Sequence, residues 1–189
     1  MRPRLTADYF DELYAGDPDP WGFETSPYEQ AKYAATIDAL EGRRYAGALE
    51  IGCSIGVLTA RLGEHCGSLL ALDSAQAAVD GARERLEGVR NVTVERRELP
   101  EDFPDGPFEL IVCSEVLYYL DDTAFSAMVT GIARELAPGG SLLAVHWRPE
   151  TQTYPLAGDE VHERLTARFG APAFRDRTPE YALDRFDVA

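Results

Sequence analysis

Ala48-Leu49-Glu50-Ile51-Gly52-Cys53-Ser54-Ile55-Gly56-Val57 is the stretch on which the fold turns. An apolar run reaches a carboxylate and then breaks into small residues. From Ile55 the apolar spacing changes, with Ile55, Leu58, Leu62 and Cys66 recurring at helical intervals. That change of period predicts a strand, a glycine turn and a helix. Gly52 and Gly56 allow a sharp turn and a close backbone approach to a ligand. The N–H groups of the new helix then face the crevice at the strand's carboxyl end, where open α/β sheets bind ligands. Asp73 ends the next apolar run, Ser68-Leu69-Leu70-Ala71-Leu72. An acid about 20 residues past such a turn is spaced to accept hydrogen bonds from a ribose.

Three other readings compete for the turn. Gly52-x-Ser54-x-Gly56 has the spacing of a hydrolase nucleophile elbow, which would need a downstream acid and then a histidine. His146 and His162 lie downstream, but no HGG-like oxyanion loop precedes the serine. The dinucleotide fingerprint fails, because Ser54 and Val57 stand where its second and third glycines belong. The plainest alternative is a tight turn with no ligand.

Outward from the turn, strand and helix patterns alternate. Strands are expected over 46–51, 68–73, 91–96, 108–113 and 141–147. Helices are expected over 56–65, after Ser74 as cap and ending near Gly88, after Asp121-Asp122-Thr123, and over 157–168. Pro138-Gly139-Gly140 is expected to end the third of these. Runs near 172–178 and 180–188 flank Thr178-Pro179-Glu180 and read as a hairpin. The alternation predicts an α/β fold: a seven-stranded, mostly parallel sheet with one antiparallel strand, covered on both faces.

Upstream, Tyr9, Phe10, Leu13 and Tyr14 share one face of a helix over 6–15, which Asp17-Pro18-Asp19-Pro20 stops. Ser26 and Glu29 form a capping box with Pro27 at the first helical position, and that helix runs to about Leu40. The aromatics Trp21, Phe23, Tyr28 and Tyr33 suggest a cover over the crevice; packing against the sheet's edge is the plainer reading.

A formal net charge of −15 argues against sequence-independent nucleic-acid binding, which needs clustered lysine and arginine. Cys53, Cys66 and Cys113 lack paired spacing, which predicts reduced thiols and a cytoplasmic setting. The absence of CxxC and HExxH argues against a structural zinc site, and no apolar stretch is long enough to predict a membrane span.

Several segments together carry a resemblance: Glu50-Ile-Gly52-Cys-Ser-Ile-Gly56, Leu72-Asp73-Ser74, Phe108-Glu-Leu-Ile-Val-Cys-Ser114-Glu115-Val116-Leu117 and Leu136-Ala-Pro138-Gly139-Gly140. Over 46–189 the chain is similar to class I S-adenosylmethionine-dependent methyltransferases. Pro18 through Tyr33, Ser114-Glu115-Val-Leu-Tyr118-Tyr119-Leu120 and Ala144-Val-His146-Trp147-Arg148-Pro149 resemble nodulation protein S and its relatives, which include N-methyltransferases of a sugar amine on a chito-oligosaccharide. The resemblance implies one methyltransferase domain over 1–189, with a helical cover over 1–45 and a Rossmann-like three-layer core over 46–189. S-adenosylmethionine would be the cofactor and S-adenosylhomocysteine the product.

By that resemblance Glu50 orients the turn and the cofactor's amino group. Gly52, Cys53, Ser54 and Gly56 give backbone contacts, although Ser54 stands where glycine is usual. Asp73, with Ser74 beside it, holds the ribose. Glu98 and Leu99 follow the third strand, where an aspartate usually meets the adenine amine. Ser114 ends the fourth strand, and Trp21 and Tyr28 cover the cofactor.

Methyl transfer needs in-line alignment of nucleophile, methyl carbon and sulfur, and no metal. An amine nucleophile must be neutral when it attacks, so a base or acceptor should take its proton. Glu115, Tyr118 and His146 are the catalytic candidates, with Tyr119, Trp147 and Arg148 for the substrate. The plainer readings are core packing for both tyrosines and His146, and a surface acid as partner for Arg148. His162, on an outer helix, is expected at the surface. The short segment from Pro149 to Gly158 favours a small-molecule acceptor, or the end of a longer chain such as an oligosaccharide. O-methylation of a small natural product, a cofactor-binding module without transfer, and a Ser54 hydrolase are the alternatives.

Overall fold

In the computed structural model, which describes residues 2–189, the run before Gly52 is a strand, β1 (Tyr45–Ile51). Gly56, in the left-handed region, closes the turn and opens α3 (Val57–Gly63). A Cβ on Gly56 would sit 3.2 Å from Ala82, so a side chain there would push away the helix that carries Ala82. Met1, within the expected cover, lies outside the described residues.

The chain divides into two compact units, Thr6–Glu98 and Leu99–Ala189, the second joined by the N-terminal residues up to Leu5. The first unit holds α1 (Ala7–Gly16), α2 (Pro27–Asp38), β1, α3, β2 (Cys66–Asp73), α4 (Gln76–Arg85) and β3 (Val92–Arg96). Strand β2 pairs in parallel with both β1 and β3, placing Ile51 beside Leu72 and Asp73 beside Arg96. Ser26 caps α2 as expected, its Oγ accepting the Glu29 N–H at 3.4 Å. The Glu29 side chain reaches Lys32 at 2.9 Å in a buried ion pair.

Ser74 does not cap α4. The cap position is Ala75, and the Gln76 N–H donates to Asp11 of α1 at 2.9 Å. Local sequence points to Ser74, but the acid that meets this helix end comes from 65 residues upstream.

The second unit holds β4 (Phe108–Ser114), a single 3-10 turn (Leu117–Tyr119), α5 (Asp122–Glu135), β5 (Leu136–Trp147), α6 (Gly158–Phe169), β6 (Phe174–Arg177) and β7 (Tyr181–Asp187). Asp121 caps α5 through the Ala124 N–H at 3.0 Å. Pro138-Gly139-Gly140 does not end α5, which stops at Glu135, but forms an irregularity inside β5. The register jumps there: Phe108 faces Leu136 while Leu110 faces Ser141. A Cβ on Gly140 would lie 2.8 Å from the Ala137 carbonyl, so the fold-back requires glycine.

The strand order is β3-β2-β1-β4-β5-β7-β6, and β7 runs antiparallel to both its neighbours. The α/β class and the seven-stranded, mostly parallel sheet expected from the sequence are those observed. No helix among the described residues is long and apolar enough to cross a membrane.

Candidate functional site

The glycine turn is laid across the end of β2. The N–H groups of Gly52 and Cys53 donate to the Leu72 carbonyl at 2.8 and 2.9 Å, and that of Ser54 to Asp73 Oδ2 at 2.8 Å. Gly56 N–H bonds the Cys53 carbonyl at 3.0 Å. These four N–H groups are therefore engaged inside the protein. Ser54, at φ 49°, occupies the backbone region that glycine usually fills.

Glu50 is 1% exposed, and its Oε2 makes no hydrogen bond. Burial is the main force pushing its carboxyl up to about 8; the Thr59 hydroxyl opposes this, although Thr59 Oγ1 also lacks a well-formed hydrogen bond. A buried carboxyl with an idle oxygen costs free energy until a donor or cation arrives. Asp73 contrasts with it: its oxygens accept from Ser54 and Ala75 N–H groups at 2.8 and 3.0 Å. Burial raises its carboxyl and these backbone bonds pull it back.

The N-terminal aromatics pack on this turn. Tyr14, Ile55, Ala75 and Ala78 form one buried cluster, joined by Phe10, Trp21, Phe23 and Val57. Trp21 stacks on Phe23 at 5.5 Å and meets Tyr14 edge-on at 5.8 Å. The Lys32 ammonium lies 5.2 Å over the Tyr28 ring. Tyr14 hydroxyl and Ser54 Oγ share a short hydrogen bond. Burial, with Asp73 close by, pushes the Tyr14 phenol far up, so Ser54 is paired with a group that cannot serve as its base. That removes the chemical basis for the nucleophile-elbow reading. Ser74 contributes its carbonyl to Arg96 at 2.8 Å. Glu98 is exposed just past β3, and half-buried Leu99 begins the second unit.

In the second unit, half-buried Ser114 and Glu115 stand at the end of β4. Glu115 adopts φ 57°, a conformation costing about 1–2 kcal/mol for a non-glycine residue. Its Oε2 accepts the Trp147 N–H at 2.9 Å and a short hydrogen bond from the Tyr118 hydroxyl. Hydrogen bonds to a charged group are worth about 1.5–3 kcal/mol each, so two of them outweigh the backbone cost. Tyr118, Tyr119 and Tyr154 contact one another at 4.6–4.8 Å between ring centres. Burial pushes the phenols of Tyr118 and Tyr119 well up, which makes them proton donors and not bases. Sequence reasoning misses Tyr154, whose place in a loop without periodicity hides it.

His146 is 0% exposed and both ring nitrogens are engaged: Nε2 accepts the Leu117 N–H at 3.2 Å and Nδ1 meets His162 Nε2 at 3.1 Å. The lone pair on Nε2, which a base would use, already accepts a hydrogen bond. His162 is likewise not at the surface but 2% exposed, with Nδ1 2.7 Å from Asp184. Gly158 explains why: a Cβ there would fall 2.1 Å from the Trp147 carbonyl, so α6 rests on the end of β5. His162, four residues along the same helical face, then meets His146. Gly158, His162 and Thr166 form a small and polar stripe in the sequence that signals this close approach. Arg148 binds Asp159 at 2.7 and 3.1 Å, so the surface acid expected as its plainer partner is the one observed.

The family profile described as Nodulation protein S (NodS) matches residues 10–154. The chain belongs to the nodulation protein S family. The family member from Rhizobium tropici is 35% identical over 127 residues, which cover 66% of this chain and 53% of that protein. This chain thus spans about half the length of that relative. N-methyltransferase NodS from Bradyrhizobium japonicum WM9, solved in complex with S-adenosyl-l-homocysteine, superposes with a TM-score of 0.86 at 26% identity, over 96% of this chain and 97% of that one. A putative methyltransferase from Pseudomonas syringae, 37% identical, superposes with a TM-score of 0.76 over 85% of this chain and 98% of its own. The chain shares its fold with both.

Proposed function

We propose that this chain is a cytoplasmic S-adenosylmethionine-dependent methyltransferase that N-methylates the amino group of a small amino sugar or a related amine. The observation that carries the reading is Glu50, a fully buried carboxyl with an oxygen lacking a partner, at the foot of the glycine turn. It suits the one strong cation of the cofactor's amino-acid end. Membership of the family and the likeness to an S-adenosyl-l-homocysteine complex support the same cofactor.

When bound, the cofactor supplies a methyl group activated on a sulfonium. Glu50 ionises to hold the ammonium. Asp73, beyond its backbone bonds, takes the ribose hydroxyls. Ser74, Glu98, Leu99 and Ser114 complete the cofactor's surroundings, and Trp21 and Tyr28 exclude water from it. Glu115, held by Trp147 N–H and Tyr118, binds the acceptor's ammonium and accepts its proton, leaving a neutral amine to attack. Tyr119 and Trp147 hold the acceptor. In this reading 46–189 acts as one catalytic domain with 1–45 as its cover.

Calorimetric titration with S-adenosylmethionine and S-adenosylhomocysteine, followed by mass spectrometry of a deacetylated chito-oligosaccharide incubated with enzyme and cofactor, tests the proposal. Micromolar binding and one added methyl group on nitrogen are expected. A folded protein that binds neither cofactor would overturn the reading; methylation confined to hydroxyl acceptors would replace its nitrogen specificity.

A further inference from the structure

Four groups in the second unit stand in a row: Leu117 N–H, His146, His162 and Asp184, with successive separations of 3.2, 3.1 and 2.7 Å. The proton positions along this row follow from its two ends. Leu117 N–H can only donate, so His146 Nε2 carries a lone pair and, in the neutral ring, the proton is on Nδ1. That proton points at His162 Nε2, which must accept, leaving the second proton on His162 Nδ1, directed at Asp184.

The other end gives the same answer independently. Asp184 is 0% exposed and paired with Arg175 at 2.8 Å and with Arg177. Its carboxyl is held well below the ordinary range by bonds to His162 and the two arginines, against the cost of its burial. It is therefore an acceptor only. An added proton has no place in the row: on His162 it would set two N–H groups face to face at Nδ1 of His146, and on His146 it would oppose Leu117 N–H.

We infer that His146, His162 and Asp184 form a directed hydrogen-bond relay that positions the Leu117–Tyr119 turn and, through the Tyr118 hydroxyl, the carboxylate of Glu115. The structural link is short. Leu117 and Tyr118 are adjacent in one turn, and Tyr118 bonds Glu115 three residues back. Strand β5 grips this segment twice, by the His146 ring at Leu117 and by the Trp147 N–H at Glu115. A carboxylate in a left-handed backbone conformation needs such fixed points to keep one orientation. His146, His162 and Asp184 are then positioning residues. The consequence for catalysis rests on the methyltransferase reading above; the proton arrangement does not.

Nitrogen-15 spectra of the histidine rings in the full-length protein provide the first test. Nδ1–H on both rings is expected, and Nε2–H on either overturns the relay. Amide hydrogen exchange provides the second: the Leu117 N–H should exchange about tenfold faster in His146→Leu and return toward wild type in His146→Gln, whose side-chain carbonyl can accept the same bond. If His146→Leu does not fold, His162→Leu serves, with the same acceleration expected from losing the partner that fixes the His146 ring. Unchanged exchange in a folded variant overturns the proposal. With the deacetylated chito-oligosaccharide as acceptor, kcat should fall about tenfold in His146→Leu while S-adenosylmethionine affinity holds, and His146→Gln should restore it. A wild type with both Nδ1–H rings and no methyl transfer keeps the relay and removes the methyltransferase reading. Methyl transfer by a wild type carrying Nε2–H on His146 does the reverse.

Discussion

The end of β1 and the end of β4 solve opposite problems with the same residue type. Glu50 is buried with an idle oxygen and a carboxyl raised to about 8. Glu115 is half-buried, bent into an unusual backbone conformation, and held by two donors on one oxygen. The first acid is left incomplete inside its own unit, which costs stability and, in the proposed function, is met by a cationic ligand. The second is fastened before any ligand arrives, which fixes direction. The difference teaches that an unsatisfied buried group marks where binding energy is to be gained, whereas a strained group fastened by two donors marks where orientation matters.

Four substitutions can break or sharpen that contrast. The largest effect is expected at Glu115. Glu115→Gln keeps the shape and removes the proton acceptor, so kcat for an amine should fall about hundredfold or more, with S-adenosylmethionine affinity within about twofold of wild type. Equal losses in kcat and cofactor affinity, measured by steady-state kinetics and calorimetry, would erase the distinction between the two acids.

Asp73→Ala comes next. Two hydrogen bonds from ribose hydroxyls to a carboxylate, at about 1.5 kcal/mol each, correspond to a loss of affinity of about hundredfold. The Ser54 and Ala75 N–H groups would also lose their acceptor, so thermal unfolding should move to lower temperature in the apoprotein. Unchanged cofactor affinity would remove Asp73 from the site.

Glu50 gives a smaller effect with a distinctive pH dependence. Its carboxyl is neutral in the apoprotein at neutral pH, and the bound ammonium requires it ionised. Binding should therefore release a proton, and S-adenosylmethionine affinity should rise about tenfold per pH unit at most, up to about pH 8. The effect on stability has the opposite sense. Because the folded value is raised from 4.5, Glu50 supports the apoprotein fully below that value and loses this support as pH rises through about 8. Glu50→Gln should flatten the affinity profile, weaken binding, and make the apoprotein more stable than wild type at alkaline pH. Calorimetry in buffers of different ionisation enthalpy reads the proton directly; no released proton near neutrality would contradict the idle-oxygen reading.

The smallest effect belongs to His162. Burial is the main force lowering its ring's affinity for a proton, only partly offset by Asp184. The unfolded chain therefore takes up this proton first, and wild-type stability should decline as pH falls below about 6.5, by no more than about 1.4 kcal/mol per pH unit. His162→Gln keeps one donor for Asp184 and one acceptor for His146 while having no proton to gain, so urea unfolding should show a shallower decline over that window. A slope identical to wild type would place the acid sensitivity elsewhere.

Much of this arrangement is legible in the order of the amino acids. The change of period at Ile55 marks the turn and the helix after it. The hairpin around Thr178-Pro179-Glu180 marks the antiparallel strand, and a carboxylate at the end of an apolar run marks both Glu50 and Asp73. Each of these signals lies within one or two neighbouring elements, where spacing and residue type suffice. What stays hidden is non-local. Asp11 meets the α4 terminus, Tyr14 meets Ser54, and His162 lies buried against His146. The α6 pattern of Val161, Leu165 and Phe169 identifies a face that buries Val161 and Leu165 and half-buries Phe169, but His162 sits on an adjoining stripe whose burial depends on how closely Gly158 lets the helix approach.

By itself, then, the sequence determined the order and kind of the strands, the place of the glycine turn and the residue types at the strand ends, because period, capping and turn chemistry are local properties of the chain. Tertiary structure alone decided which polar groups are satisfied. It left Glu50 with an idle oxygen, engaged four of the turn's N–H groups, and placed the Leu117 N–H on His146 Nε2. The physical reason is that hydrogen-bond satisfaction is a property of pairs brought together by packing, and no single position in a sequence carries its partner with it.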